Sequence, residues 1–235
     1  MKKQSKNLFL IGLSLLIMSL GAFADKMHEK PKIGYQAVPI EKATLVQEGD
    51  TKNFCPICGM TLPMFYKTNH TAVHEGHDKQ YCSIHCMVED KELNGSALTD
   101  IKVVDNTSLK LIDAKNAFYI VGSSKPGTMS MISKYAFAEE SDAKKFAKTN
   151  GGELKTFDEV YAMVSKGMQK EKAMIAKRQK KMQMMGEKIY NKMCKKTDKK
   201  FSSVAQAKSF VSKNKLCGEM KGKNLQAVSI YLGRR

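Results

Sequence analysis

Apolar residues recur at strand spacing in four places along this chain: Ala37 to Val46, Ile101 to Val104, Ala117 to Val121 and Tyr135 to Ala138. The last three are rich in β-branched and aromatic residues and are separated by Asn, Asp, Gly and Ser, which predicts strands joined by turns. Helical spacing takes over elsewhere. A short helix is expected from near Ser83 to Asn94-Gly95, and a second capped by Ser141 that ends at Asn150-Gly151-Gly152. Residues 117 to 156 therefore read strand, strand, helix, strand. Thr156 followed by Glu159 matches a capping box, so a long helix should start there and run through Val160, Met163 and Val164 into a lysine-rich stretch. Ser202 to Asn214 and Lys223 to Leu232 keep helical periodicity to the end.

Composition adds a boundary. The chain has 235 residues, 42% of them hydrophobic and 27% charged, which suits a folded protein of one large or two small domains. Its net charge of +17 is unevenly spread: residues 25 to 165 hold 17 basic against 19 acidic side chains, residues 166 to 235 hold 20 against 4. The excess belongs to the C-terminal third. Between Gly167 and Gly186 the apolar positions are chiefly methionine, which reads as a solvated connecting helix or as a surface for a membrane or an acidic partner.

Lys2, Lys3 and Lys6 precede an apolar run from Leu8 to Leu20 and the small-residue exit Ala22-Phe23-Ala24, the layout of a cleavable secretion signal. The run is shorter than the roughly 20 residues a membrane span needs. Export to a periplasmic location is expected, which removes nucleic acid as a partner. It also sets the context for six cysteines, because thiols in oxidising compartments pair unless a metal holds them.

Those cysteines form two groups. Cys55, Cys58, Cys82 and Cys86 lie within 32 residues; Cys194 and Cys217 lie in the basic part. Cys55-Pro56-Ile57-Cys58-Gly59-Met60 has the spacing of a thiolate knuckle, in which two sulfurs face one ion and Gly59 permits the tight turn. If a helix begins at Cys82, then Cys82 and Cys86 share one of its faces with His85 beside them. Two structural disulfides are the competing arrangement. Met60, Met64 and Met87 adjoin the cysteines, and thioether with thiolate selects Cu(I) over harder ions. His70, His74 and His77 stand on the connecting loop as a second site or as a solvated polar segment. No Ser/His/Asp set, phosphate-binding glycine loop or carboxylate pair argues for an enzyme.

The knuckle, Tyr81-Cys82-Ser83, the run Ala117-Phe118-Tyr119-Ile120-Val121-Gly122-Ser123 and Gly127-Thr128-Met129-Ser130 together resemble the NosL family, copper-binding accessory proteins of nitrous oxide reductase. Ala136-Phe137-Ala138, Ala143 to Phe146 and Gly151-Gly152 continue the likeness, which covers about residues 45 to 165. It implies an α+β domain of two ββαβ units that binds Cu(I) and supplies it for assembly of the reductase. Carried over by position, Cys55, Cys58, Met60 and Met129 become the copper ligands; Cys82, His85 and Cys86 are an addition to the family pattern, and the Cys82/Cys86 pair either completes one tetrahedral thiolate site with the knuckle or forms a second one able to take Zn(II).

A weaker likeness follows. Gly186 to Cys194 resembles the opening of a small c-type cytochrome and Leu225 to Leu232 its last helix, but Thr197 and Asp198 stand where covalent attachment needs Cys and His. A haem-less, all-α module is expected, with Cys194 and Cys217 bonded in place of the cofactor. The expected organisation is a signal peptide (1–24), a leader (25–44), the NosL-like domain (45–165), a basic linker helix (166–185) and the helical module (186–235). The expected function is a non-enzymatic periplasmic Cu(I) metallochaperone. Its partners would be apo nitrous oxide reductase or its assembly complex, a copper-exporting membrane protein and, through the basic third, the membrane surface. A thiol-disulfide redox protein using Cys55 and Cys58, or a structural zinc module, are the alternatives.

Overall fold

The computed structural model describes residues 34–235; the expected signal peptide and residues 25 to 33 of the leader lie outside that range. The chain mixes helix and sheet. Strands β1 (His70–His74), β2 (His77–Tyr81), β3 (Thr99–Val104) and β4 (Leu111–Asp113) form an antiparallel sheet in the order β2-β1-β3-β4, with helix α1 (Ile84–Leu93) inserted between β2 and β3. A second antiparallel sheet, β6-β5-β7, is built from β5 (Phe118–Val121), β6 (Lys134–Phe137) and β7 (Glu153–Lys155), with α2 (Glu140–Asn150) between β6 and β7. A parallel bridge from Asp105 to Ala136 links the two sheets.

The segment Ala37 to Val46 is not a strand. It makes one 3-10 turn at Ile40–Lys42 and then runs extended, its amides taken by side chains instead of a ladder: Thr44 N–H donates to Tyr66 Oη at 3.0 Å and Val46 N–H to Gln80 Oε1 at 3.0 Å. The loop holding the three histidines is, conversely, a hairpin. His74 pairs with His77 across Glu75-Gly76, both at positive φ (50° and 77°), as a two-residue hairpin turn requires. His70 goes into the core, where its Nδ1 faces Thr68 O at 3.2 Å and its Nε2 faces Tyr119 Oη at 3.1 Å. Burial lowers its pKa to about 4.

Helix α3 (Phe157–Met193) starts with the expected capping box, Thr156 and Glu159 each binding the other's backbone N–H. Its first turns carry Phe157, Val160, Val164 and Met168 into the core that also holds the cysteine cluster. It then continues unbroken past residues 166 and 186. Its last turns, with α4 (Val204–Lys213) and α5 (Gly222–Leu232), enclose a second core around Tyr190, Cys194, Ala207, Val211, Leu225, Val228 and Leu232. Gly186 is required there: a Cβ on it would lie 2.0 Å from Ala227 O of α5. Cys194 and Cys217 are bonded and join the end of α3 to the α4–α5 connection. No helix among the described residues is long and apolar enough to cross a membrane.

Candidate metal centre

The knuckle is a tight turn. Cys55 N–H donates to Met60 O at 2.9 Å and Gly59 N–H to Cys55 O at 2.8 Å, with Gly59 at φ +71°. The second pair comes from the start of α1. Cys82 precedes its N-cap residue Ser83, and Cys86 lies in its first turn. The helix thus begins two residues after Cys82 and carries Cys86 in the first turn, at its positive end. Thr68 Oγ1 holds the chain at Cys82 O, 2.8 Å away, and also bonds Thr128 Oγ1 at 2.8 Å, which ties the Gly127-Thr128-Met129-Ser130 loop to the same wall.

These elements bring all four thiols together. Their sulfurs lie within 4.8 Å of one another, with Cys58 to Cys82 at 3.5 Å and Cys82 to Cys86 at 3.7 Å. All four are free thiols and all are buried, Cys58 at 5% exposure and the others at 0%. Four sulfurs about 2.3 Å from a common ion in a tetrahedron would be about 3.8 Å apart. The spacing is therefore that of one four-thiol centre.

Electrostatics favour a cation at the centre of the four. Burial works to raise the Cys55 thiol, but hydrogen bonds from Cys58, Cys82 and Cys86 converge on it and hold it well below the ordinary thiol range. Cys82 and Cys86 are driven well above that range, chiefly because they donate hydrogen bonds to Cys55 and Cys58. Losing one proton is easy and losing the rest is resisted by accumulating negative charge, which a metal ion removes. Among the described residues, Ser83, 4% exposed, has no partner for its Oγ beside this cluster.

The other expected site residues lie close by. Met60 and Met129 are partly buried and pack against the core that holds the thiols, and Met129 has φ +62°. His85 is buried in α1 with Nε2 3.9 Å from Glu89 Oε2, and its imidazole is outside the four-thiol group. Of the loop histidines, His70 is a core residue. His74 Nδ1 lies 3.0 Å from Ala97 O at the hairpin end.

Sequence reasoning missed two residues of the site, Lys208 of α4 and Gln226 of α5. Lys208 Nζ donates to Gly59 O (2.9 Å), Thr61 Oγ1 (2.9 Å) and Gln226 Oε1 (2.7 Å), and Gln226 Nε2 donates to Cys58 O (2.9 Å). Burial pushes the Lys208 pKa down to about 8, against an upward pull from the Cys58, Cys55 and Cys82 thiols. The signal was faint: a lysine three residues before Val211 and four after Val204, on the apolar side of α4.

Residues 46–165 match the NosL family. The copper-binding lipoprotein NosL of Stutzerimonas stutzeri is 33% identical over 116 residues, an overlap of 45% of this chain and 60% of that protein. The chain thus spans less than two thirds of the length of that curated relative. A crystal structure of the copper chaperone NosL from Shewanella denitrificans aligns with a TM-score of 0.40 at 23% identity, covering 52% of this chain and 96% of that one. Helices α4 and α5 lie beyond the matched residues.

Proposed function

The chain belongs to the NosL family, and from that premise we propose that it is a periplasmic Cu(I) metallochaperone that supplies copper for maturation of nitrous oxide reductase. The observation that carries the reading is the buried group of four free thiols within 4.8 Å. Thiolates take Cu(I) strongly, and Met60 and Met129 at the edge of the same core add thioether sulfur that rewards only a soft ion. The relative from Stutzerimonas stutzeri is named a copper-binding lipoprotein, which fits a binding protein without turnover that works outside the cytoplasm. In this reading the two sheets with their helices are the two ββαβ units of the family, and residues 186 to 235 are a haem-less cytochrome-like module. The recipient is apo nitrous oxide reductase or its assembly complex, and the donor a copper-exporting membrane protein. The basic residues of 166 to 235 contribute an attraction to a membrane surface or an acidic partner that salt screens over about 8 Å.

Thiol exchange with client disulfides is disfavoured, because Cys55 and Cys58 are buried in a turn and out of a client's reach. One observation supports a second reading, a resident Zn(II): the 3.5 and 3.7 Å sulfur separations suit a closed tetrahedral site at all four cysteines, and not the Cys82/Cys86 pair alone. Anaerobic competition decides between them. The reduced protein should hold Cu(I) against a large excess of Zn(II) and pass it to the apo-reductase. Zn(II) displacing Cu(I) from the thiols at comparable concentration would replace the copper reading with the structural one.

A further inference from the structure

Helices α4 and α5 would be ordinary members of a small helical core but for two polar residues that point away from it. Lys208 is 3% exposed, and burying an ammonium costs several kcal/mol unless its donors and its charge are met. Its donors are met, by Gly59 O, Thr61 Oγ1 and Gln226 Oε1. These three acceptors are uncharged and the Phe54 ring, with its centroid 5.0 Å from Nζ, adds a cation–π contact, so a full compensating negative charge comes from beyond them. The thiol cluster next to the Gly59 turn can provide it, because four thiolates around Zn(II) or Cu(I) leave a net charge of −2 or −3.

The fit extends past the charge. Gln226 takes the next carbonyl of the knuckle, Cys58 O, so Lys208 and Gln226 together hold two successive peptide oxygens of the metal-binding turn. Val204, at the start of α4, lies on Gly59 so closely that a Cβ there would be 2.5 Å from Val204 Cγ1. Further along α4, Ser209 Oγ donates to Asp50 O at 2.6 Å and Lys213 Nζ pairs with the Asp50 carboxylate at 3.1 Å. One helical module thus closes over the outer side of the knuckle.

We infer that the α4–α5 module is the cover of the metal centre, with Lys208 and Gln226 as positioning residues that fix the knuckle and Lys208 as the counter-charge to the metal-thiolate group. Metal enters and leaves when the module lifts from Gly59. The inference deepens the proposed function and rests on it, since a cargo site needs a way to open whereas a permanent zinc site does not.

The test uses the full-length reduced chain, with Cu(I) as the probe and a chromophoric Cu(I) chelator as acceptor. Gln226→Leu should accelerate both loading and unloading by about 10-fold or more, within the range found when groups supporting metal ligands are removed, while equilibrium affinity moves less than either rate. Lys208→Met should raise both rates and also lower the affinity, because a charge is lost as well as a contact. In the metal-free protein both variants should speed alkylation of the four buried thiols. A residue that merely stabilised the module would shift unfolding without raising exchange rates in the folded protein. Folded variants with unchanged exchange and alkylation rates would overturn the cover. If Lys208→Met does not fold, Gln226→Leu, at a half-buried position, carries the test alone. Failure of the unsubstituted protein to bind Cu(I) at all would instead remove the chaperone reading, and alkylation of the metal-free variants would still report on the cover.

Discussion

Two sulfur centres occupy this molecule, and they are held in opposite ways. In the sheet-bearing part, four thiols from a turn and a helix start converge to within 4.8 Å and stay unbonded. In the helical part, Cys194 and Cys217 close a covalent bond with their Cα atoms 4.2 Å apart. The difference lies in how many sulfurs meet and what lies behind them. Cys194, at the end of α3, and Cys217, on the α4–α5 connection, have only each other. The four thiols have one another, with Cys86 in the first turn of α1 and the Lys208 ammonium bonded to Gly59 O beside Cys58, and the negative charge that builds up as they deprotonate is what a metal ion removes.

The largest effect should come from breaking the first centre. Cys58→Ser removes a ligand outright, so metal affinity should fall by more than about 100-fold, beyond the loss that accompanies supporting groups. Metal titration checks this, and a smaller drop would mean that fewer than four sulfurs hold the ion. The second centre should be indifferent, with the Cys194–Cys217 bond intact in the variant by mass.

Acid should separate the two regions as well. The folded pKa of His70, about 4, is below the usual 6.5, so its contribution to stability is full above pH 6.5 and is lost as pH falls from 6.5 towards 4. The loss amounts to about 3 kcal/mol by pH 4, because a tenfold change in proton affinity between the folded and unfolded chain is worth about 1.4 kcal/mol. His70→Gln should flatten this part of the stability profile measured by denaturant unfolding, while a profile with its original slope would place the acid-sensitive group elsewhere.

Removing the disulfide by Cys194→Ser with Cys217→Ser should cost about 3 kcal/mol of stability, given the chain length that it closes. Denaturant unfolding reads the loss, and metal stoichiometry should not change. The smallest effect is expected at Met129. Replacing it with Ile, the nearest match in volume, would confound the experiment, because Met129 has φ +62° and a β-branched residue is strained there. Met129→Leu keeps the shape with less strain. It should weaken Cu(I) by about 10-fold and leave Zn(II) unchanged, because thioether sulfur favours the softer ion. Equal effects on both metals would make Met129 a packing residue.

The two regions also differed in how plainly the sequence announced them. The capping box at Thr156, the knuckle spacing, strands β3, β5 and β6 and the helices of the C-terminal third were legible because each depends on residues near in sequence. The β1–β2 hairpin was hidden, since His-Thr-Ala-Val-His and His-Asp-Lys-Gln-Tyr are too polar to read as strands and Glu75-Gly76 is a weak turn signal. Ala37 to Val46 had a strand's spacing but its amides found Tyr66 and Gln80. Lys208 and Gln226 were beyond reach for a plainer reason: their partners lie 149 and 168 residues away, and only the folded chain brings them to the knuckle.

X-ray absorption at the metal edge, on protein loaded with one equivalent of Zn(II) as a geometric probe, tests the four-thiol centre most directly. A single centre of four thiolates predicts saturation at one ion and a first shell of four sulfurs at about 2.3 Å, with no nitrogen or oxygen. Two ions per chain, or a shell of two sulfurs completed by nitrogen or oxygen, would contradict it.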